Sequence, residues 1–374
     1  MADLISSLPD EIICYILSFL PSPQVIATSV LSKRWNFLWR SVPSLDFYID
    51  NKDFWYSSLC SFLVSHGDKP FYRIRLRCYC SLHITESMEI QIQTALSGSR
   101  SVQILDLYCR WSTSNFVIPS VVFSFKTLVT LKLEQIRVEC VSFVDLPLLK
   151  ILHLKNIIYP LKIDLLELLS ACPNLEDLKV KRLAFEAKGK FNPLSKLVRV
   201  NIYGILLPWE IFKDVEVLKF ELVMPICRPI LSLNFDFHNL VQLQLYVGLN
   251  WLPVVFKWLN HCPKLQSLVI SFLKTHVRFY NLPRYEEEDV WSYPETIPAC
   301  ISSHLKTCRL KHYRDSEDEF QFARYILENA KYLQTMKIRN IHYIRNRHTR
   351  KEEDMKRKLS SCMERSDTCT LLFE

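Results

Sequence analysis

The chain has 374 residues, enough for two or three structural units at roughly 150 residues each. With 49% hydrophobic and 12% aromatic residues it holds ample burial material, which excludes disorder for most of its length. The five glycines stand far apart, so neither a phosphate-cradling loop nor a dinucleotide fingerprint can be assembled, and the net charge of +8 does not of itself imply nucleic acid.

The 13 cysteines are scattered, with Cys78 and Cys80 the only close pair and no C-x-x-C. This pattern predicts reduced thiols, no metal site, and residence inside the cell, in cytoplasm, nucleus or both. The apolar run at 12–20 follows Asp3, Asp10 and Glu11, where a secretory signal would carry basic residues. No uncharged stretch reaches the ~18 apolar residues of a membrane helix.

In chain order, residues 7–20 (SLPDEIICYILSFL) predict a helix with Ser7 as cap, Pro9 at its first position, and Asp10 and Glu11 against the positive dipole end. Pro21 and Pro23 stop it and start a second helix through Val25, Ile26, Val30 and Leu31. A third begins near Ser32 and carries Trp35, Phe37, Leu38 and Trp39. About forty residues cannot bury this apolar load among themselves, so part of it calls for a partner.

The segments L-P-D-E-I-I-C-Y-I-L-S-F-L at 8–20 and S-V-L-S-K-R-W-N-F-L-W at 29–39 resemble the F-box. The resemblance implies a three-helix unit that docks on the small adaptor subunit of cullin–RING ubiquitin ligases. By motif position it points to Leu8, Pro9, Ile12, Ile16, Leu17, Leu20, Leu31, Trp35, Leu38 and Trp39 as adaptor-binding residues.

Further along, the pattern L-x-x-L-x-L recurs from Val102, Leu128, Leu149, Leu175, Leu197, Val215, Leu240, Leu265, Leu305 and Leu333. Most steps fall within the leucine-rich-repeat range of about 20–29 residues, with one longer step between Leu265 and Leu305. LSACPNLEDLKV at 169–180, LNHCPKLQSLVI at 259–270 and LENAKYLQTMKI at 327–338 align without gaps. They predict helices over 164–171, 252–261 and 318–330, on the outside of a stack of short parallel strands.

Residues alternating with the strand leucines point away from the core and are expected to line the concave side. Among them Lys132, Lys155, Lys179, Lys181, Arg199 and Arg309 give a basic bias, tempered by Glu134 and Asp177, that suits an acidic or phosphorylated protein partner. Tyr203 and Tyr246 are the candidate anchors, since interface hot spots are enriched in tyrosine.

The acidic, proline-containing RYEEEDVWSYPETIP at 284–298 predicts a loop or boundary. Behind it the order of strand, acidic cap, amphipathic helix, strand, basic helix and CTLLFE resembles the FBD domain, which follows F-box and leucine-rich repeats in many plant proteins. The basic run over 337–358 reads as a solvated helix with opposite charges one turn away, in preference to a nucleic-acid or nuclear-localisation patch.

No nucleophile or metalloprotease motif appears, and Cys262 beside His261 reads as a buried structural cysteine. Catalytic residues and cofactors are therefore expected to be absent, and a receptor supplying proximity needs none. The expected architecture is α/β: an F-box over 1–45, an irregular leucine-rich-repeat solenoid over 46–298, and a closing FBD domain over 299–374. The expected role is substrate recognition within a cullin–RING ubiquitin ligase; the competing expectation is a repeat scaffold with no part in ubiquitination.

Overall fold

The computed structural model describes the chain except residues 1–3, 6, 50–51, 68, 80–85, 99–100, 110–116, 158–163, 182–191, 193, 204–206, 223–232, 249–251, 274–293, 341–349 and 363–368. It divides into two compact units, residues 1–196 and 197–374.

The first unit opens with helices α1 (Asp10–Leu17), α2 (Ser22–Ala27) and α3 (Trp35–Leu38). All three are shorter than the sequence pattern predicts; α2 and α3 give way to 3₁₀ turns at Thr28–Val30 and Trp39–Ser41. Pro9 is the cap residue of α1 and not its first helical position, and the Ser7 hydroxyl donates to the Leu4 carbonyl instead of capping the helix. Asp10 does occupy the first turn, where Arg34 donates from Nε to its carboxylate at 2.8 Å.

Strands β1 (Ser44–Ile49), β2 (Arg73–Cys78) and β3 (Ile104–Cys109) follow, with α4 (Lys52–His66) and α5 (Glu86–Gly98) between them. A two-residue pair, β4 (Val117–Ile118) and β6 (Arg137–Val138), flanks β5 (Thr130–Glu134). Then come β7 (Ile151–Lys155), α6 (Leu165–Ser170) and β8 (Asp177–Lys181). β1, β2, β3, β5, β7 and β8 pair in that order, all parallel. The sheet thus starts two strands earlier than the leucine pattern at Val102 indicates. SLDFYI and RIRLRC place only two or three apolar side chains inward, and that suffices: Leu45, Phe47, Ile74 and Leu76 are fully buried.

The second unit holds β9 (Arg199–Tyr203), β10 (Val217–Leu222), β11 (Gln242–Val247), α7 (Leu252–Asn260) and β12 (Ser267–Phe272). It continues with α8 (Ala299–Ser303), β13 (Thr307–Tyr313), α9 (Glu317–Asn329), β14 (Thr335–Asn340), α10 (Arg350–Ser361) and β15 (Thr370–Phe373). β9 to β15 pair consecutively and in parallel. The long step before Leu305 does not interrupt this sheet, since Ser267 stands opposite Thr307 and the Lys306 amide donates to the Gln266 carbonyl at 2.9 Å. Most of the acidic stretch 284–298 lies outside the described residues.

The aligned L-x-x-[CA]-x-x-L segments fold into one corner used three times. The amides of Leu175, Leu265 and Leu333 donate to the carbonyls of Cys172, Cys262 and Ala330, turning a helix end into a strand. Asp164 caps α6 by accepting from the Leu166 amide, and Ser316 caps α9 in a reciprocal box with the buried Glu319. The basic run divides: Lys337 and Arg339 belong to β14 and Arg350–Ser361 is helix, while Arg345 and Arg347 lie outside the described residues.

The core of each unit lies between the inward strand side chains and the helical layer. In the second unit Trp258 is fully buried among Trp209, Phe220 and Phe237, with ring centroids 4.5–5.1 Å away. In the first, His66 closes α4 at 2% exposure and stacks on Phe71 at 4.1 Å. Burial, and then the Lys69 charge, lower its pKa to about 4.

Below pH 6.5 an unfolded chain takes up a proton on this imidazole that the folded chain refuses until about pH 4. Stability is therefore expected to fall as pH drops through that window, by about 2 kcal/mol between pH 7 and pH 5. Urea unfolding of the wild type against His66→Leu at both pH values checks this; the variant should lose that part of the pH dependence.

Candidate functional site

Two surfaces offer themselves. The first is the N-terminal helical unit, which Ser22 ties to the sheet by accepting the Asp46 amide at 2.8 Å. Arg73 on β2 adds a bond from Nη1 to the Ser18 carbonyl at 3.3 Å. With its rear face packed in this way, α1 buries Ile13, Cys14 and Leu17 and turns the opposite stripe to solvent.

The ten residues singled out by motif position separate accordingly. Leu17, Trp35, Leu38 and Trp39 are buried in the chain's own core, where Trp39 packs against Phe62. Leu8 and Leu20 are half-buried. Pro9, Ile12, Ile16 and Leu31 are exposed, and so are Tyr15, Phe19, Val30 and Phe37, which motif position did not single out. Tyr15 and Phe19 meet edge to face at 5.1 Å, one turn apart. The signal that finds them is the helical wheel: they and Ile12 and Ile16 fill the stripe that Ile13 and Leu17 leave free.

The second surface is the solvent-facing side of the strands. In the first unit, register aligns Asp46, Arg75, Asp106, Lys132, His153 and Lys179 across one row, and Arg77, Tyr108, Glu134, Lys155 and Lys181 across the next. Asp106, 5% exposed, accepts from Arg77 at 2.7 Å and lies 3.6 Å from Arg75, which also reaches Asp46 at 3.1 Å. Burial raises the Asp46 carboxyl while Arg75 pulls it down. Lys155 is matched by Glu134 at 2.7 Å, and His153 meets Asp177 at 3.2 Å. At the strand ends Tyr48, Tyr79 and Tyr108 stack in a row with centroids 4.6–4.7 Å apart, an aromatic shelf absent from the expected anchors.

In the second unit Arg199, Tyr203, Tyr246 and Arg309 all stand on this side, within β9, β11 and β13. Tyr203 and Tyr246 touch at 4.9 Å, and Gln244 donates to the Tyr246 hydroxyl at 2.8 Å. The Tyr203 hydroxyl is raised well above its ordinary pKa by burial and by its bond to Tyr246, so it stays neutral.

Among the described residues neither surface assembles an activated nucleophile. Cys262 is fully buried, donates its S–H to the Trp258 carbonyl, and has its pKa pushed far up by burial. His261 instead faces Asp236 at 2.9 Å. Among the described residues no group of three metal-ligating side chains converges, and no helix is long and apolar enough to cross a membrane.

Removing the buried Asp106 carboxylate takes from Arg77 its 2.7 Å partner and leaves Arg75 with Asp46 alone, whereas removing the more exposed Glu134 carboxylate separates a single pair. Asp106→Asn is expected to lower stability by about 1–3 kcal/mol and Glu134→Gln by less than about 1 kcal/mol. Denaturant midpoints of the two variants check the order.

Three family models match: an F-box domain over residues 5–47, the LRR repeats of FBD-associated F-box protein At5g56370 over 94–189, and FBD over 293–338. FBD-associated F-box protein At3g52670 of Arabidopsis thaliana is 29% identical over 100% of this chain and 97% of its own length. Probable FBD-associated F-box protein At1g32375, from the same plant, is 26% identical over the full length of both, and putative F-box/FBD/LRR-repeat protein At5g52460 is 29% identical over 100% and 96%. The three domain models thus match in the order F-box, LRR repeats and FBD along the chain, which is similar over its length to F-box/FBD/LRR-repeat proteins.

Proposed function

We propose that this chain is a non-catalytic substrate-recognition subunit of a cullin–RING ubiquitin ligase, in which the helices within residues 1–45 dock on the adaptor and the repeats of 46–298 hold a protein substrate. The observation that supports docking most directly is the apolar stripe of the helical unit. Ile12, Tyr15, Ile16 and Phe19 are 46–61% exposed, with Val30 at 85% and Leu31 at 64%. Contiguous apolar side chains of this size on a soluble surface mark an interaction site. Within the second unit β15 pairs along the edge that β14 would otherwise leave open, which supports a closing role for 299–374.

The proposal separates docking from folding residue by residue. Ile16→Asp combined with Leu31→Asp should abolish capture of purified adaptor by the full chain while shifting its melting temperature little. Leu17→Ala, one position along the same helix, should cost about 2–5 kcal/mol of stability in its unit through the cavity it leaves. Undiminished adaptor capture by the double aspartate variant would overturn the docking assignment and leave a repeat protein without that role.

A further inference from the structure

Arg309 and Lys311 alternate along β13 and stand directly opposite Lys337 and Arg339 on β14. Neighbouring strands lie about 4.8 Å apart and alternate residues about 7 Å apart, so four cations occupy the corners of one small patch. Like charges directly opposite each other destabilise a sheet. In the first unit the corresponding arginines, Arg75 and Arg77, have Asp46 and Asp106 on the adjacent strands.

Here the carboxylate that acts on the cluster is Glu374, 3.2 Å from the Lys337 ammonium and exposed. The hydrogen bond from Lys337 holds the Glu374 carboxyl below its usual pKa, and Arg309 and Arg339 pull the same way. Burial, then the charges of Arg309, Lys219 and Arg339, push the Lys311 ammonium down. Among the described residues, five cations thus act on one another here, with the Glu374 side chain among them. On β12 the residues of the same side are Ser267, Val269 and Ser271, and on β15 Thr370 and Leu372, all neutral. The charge is a patch and not a stripe, so it does not track a nucleic-acid backbone.

We infer that the Arg309, Lys311, Lys337 and Arg339 quartet is the recognition site for a phosphoryl group on the protein substrate, and that Glu374 occupies it in the unliganded chain. A phosphoryl group concentrates nearly two charges and three acceptor oxygens in one tetrahedron. Arg309 and Arg339, on the diagonal, present planar forks to those oxygens, and the two lysines add point charges. A second carboxylate would bring one charge where more remain unmatched. This inference rests on the substrate-receptor reading above and names the chemistry of the substrate.

The test uses the full chain and fluorescent dodecapeptide libraries that differ only in a central phosphoserine, serine or glutamate, read by anisotropy near physiological salt. The phosphoserine library is expected to bind about tenfold more tightly than the serine library, with glutamate between them. Arg309→Gln with Arg339→Gln should erase that preference at unchanged melting temperature. Glu374→Gln should tighten phosphoserine binding about threefold, an effect that a merely structural carboxylate would not produce. Equal binding of the three libraries, or a preference that survives the double glutamine variant, would overturn the site. So would a labelled RNA or DNA oligonucleotide that binds more tightly than the phosphoserine library through the same arginines. Adaptor capture is measured on every variant: its loss in the wild type overturns the ligase reading alone, and its retention beside equal peptide binding overturns the phosphoryl site alone.

Discussion

A repeat of about 25 residues owns one strand, and the apolar side chains on its inner side find neighbours on the strands before and after and on the helical layer. Hydrogen bonds at the strand entries hold this stacking. Val129 donates to Gln103, Lys150 to Val129 and Glu176 to Lys150 in the first unit. In the second, Glu216 donates to Val198, Val241 to Glu216, Gln266 to Val241, Lys306 to Gln266 and Gln334 to Lys306. Connecting segments leave from the strand ends, so their length does not enter the register. An insertion between Leu265 and Leu305 is therefore tolerated, since loop closure costs grow slowly with length. The parallel ladder also fixes the solvent-facing side, because every outward residue stands beside its counterparts on both neighbours.

That constraint sets the electrostatics. Columns of side chains about 4.8 Å apart cannot hold one sign of charge without cost. Over its first three strands the first unit alternates: Asp46, Arg75 and Asp106 stand in one row, and Arg77 reaches Asp106 from the next. The second unit fills the row from Val269 through Arg309 to Lys337 without such alternation. The basic bias legible in the sequence is thus not spread evenly over the repeats. In the first unit much of it is bound within the chain, and in the second it concentrates on two strands.

The sequence displays what is local and periodic. The L-x-L strands from β3 onward, the helices α6, α7 and α9 and the buried Cys262 can all be read from apolar spacing, because each is determined within about a dozen residues. What cannot be read depends on neighbours a whole repeat away. RIRLRC in β2 resembles a solvated basic segment until Asp46 and Asp106, each 29 residues from the arginine it pairs with most closely, are placed beside it. Lys337 and Arg339 resemble the start of a basic helix until β13 lies alongside. The adaptor-facing residues follow the same logic. Motif position marks where the unit makes contact, but Trp39 packs against Phe62 of α4, which lies further along the chain.

One helix shows how the chain reconciles a stable fold with an exposed apolar surface. Along α1 the inward positions Ile13 and Leu17 bury completely, while Ile12 and Ile16, each one residue earlier, stay near half exposed. At 100° per residue these neighbours belong to different faces. The fold depends on one face, and the other can change with little effect on stability. The aromatic pair Tyr15 and Phe19 lies with the exposed face, and Arg73, over the Phe19 ring at 5.9 Å, joins that face to the first repeat.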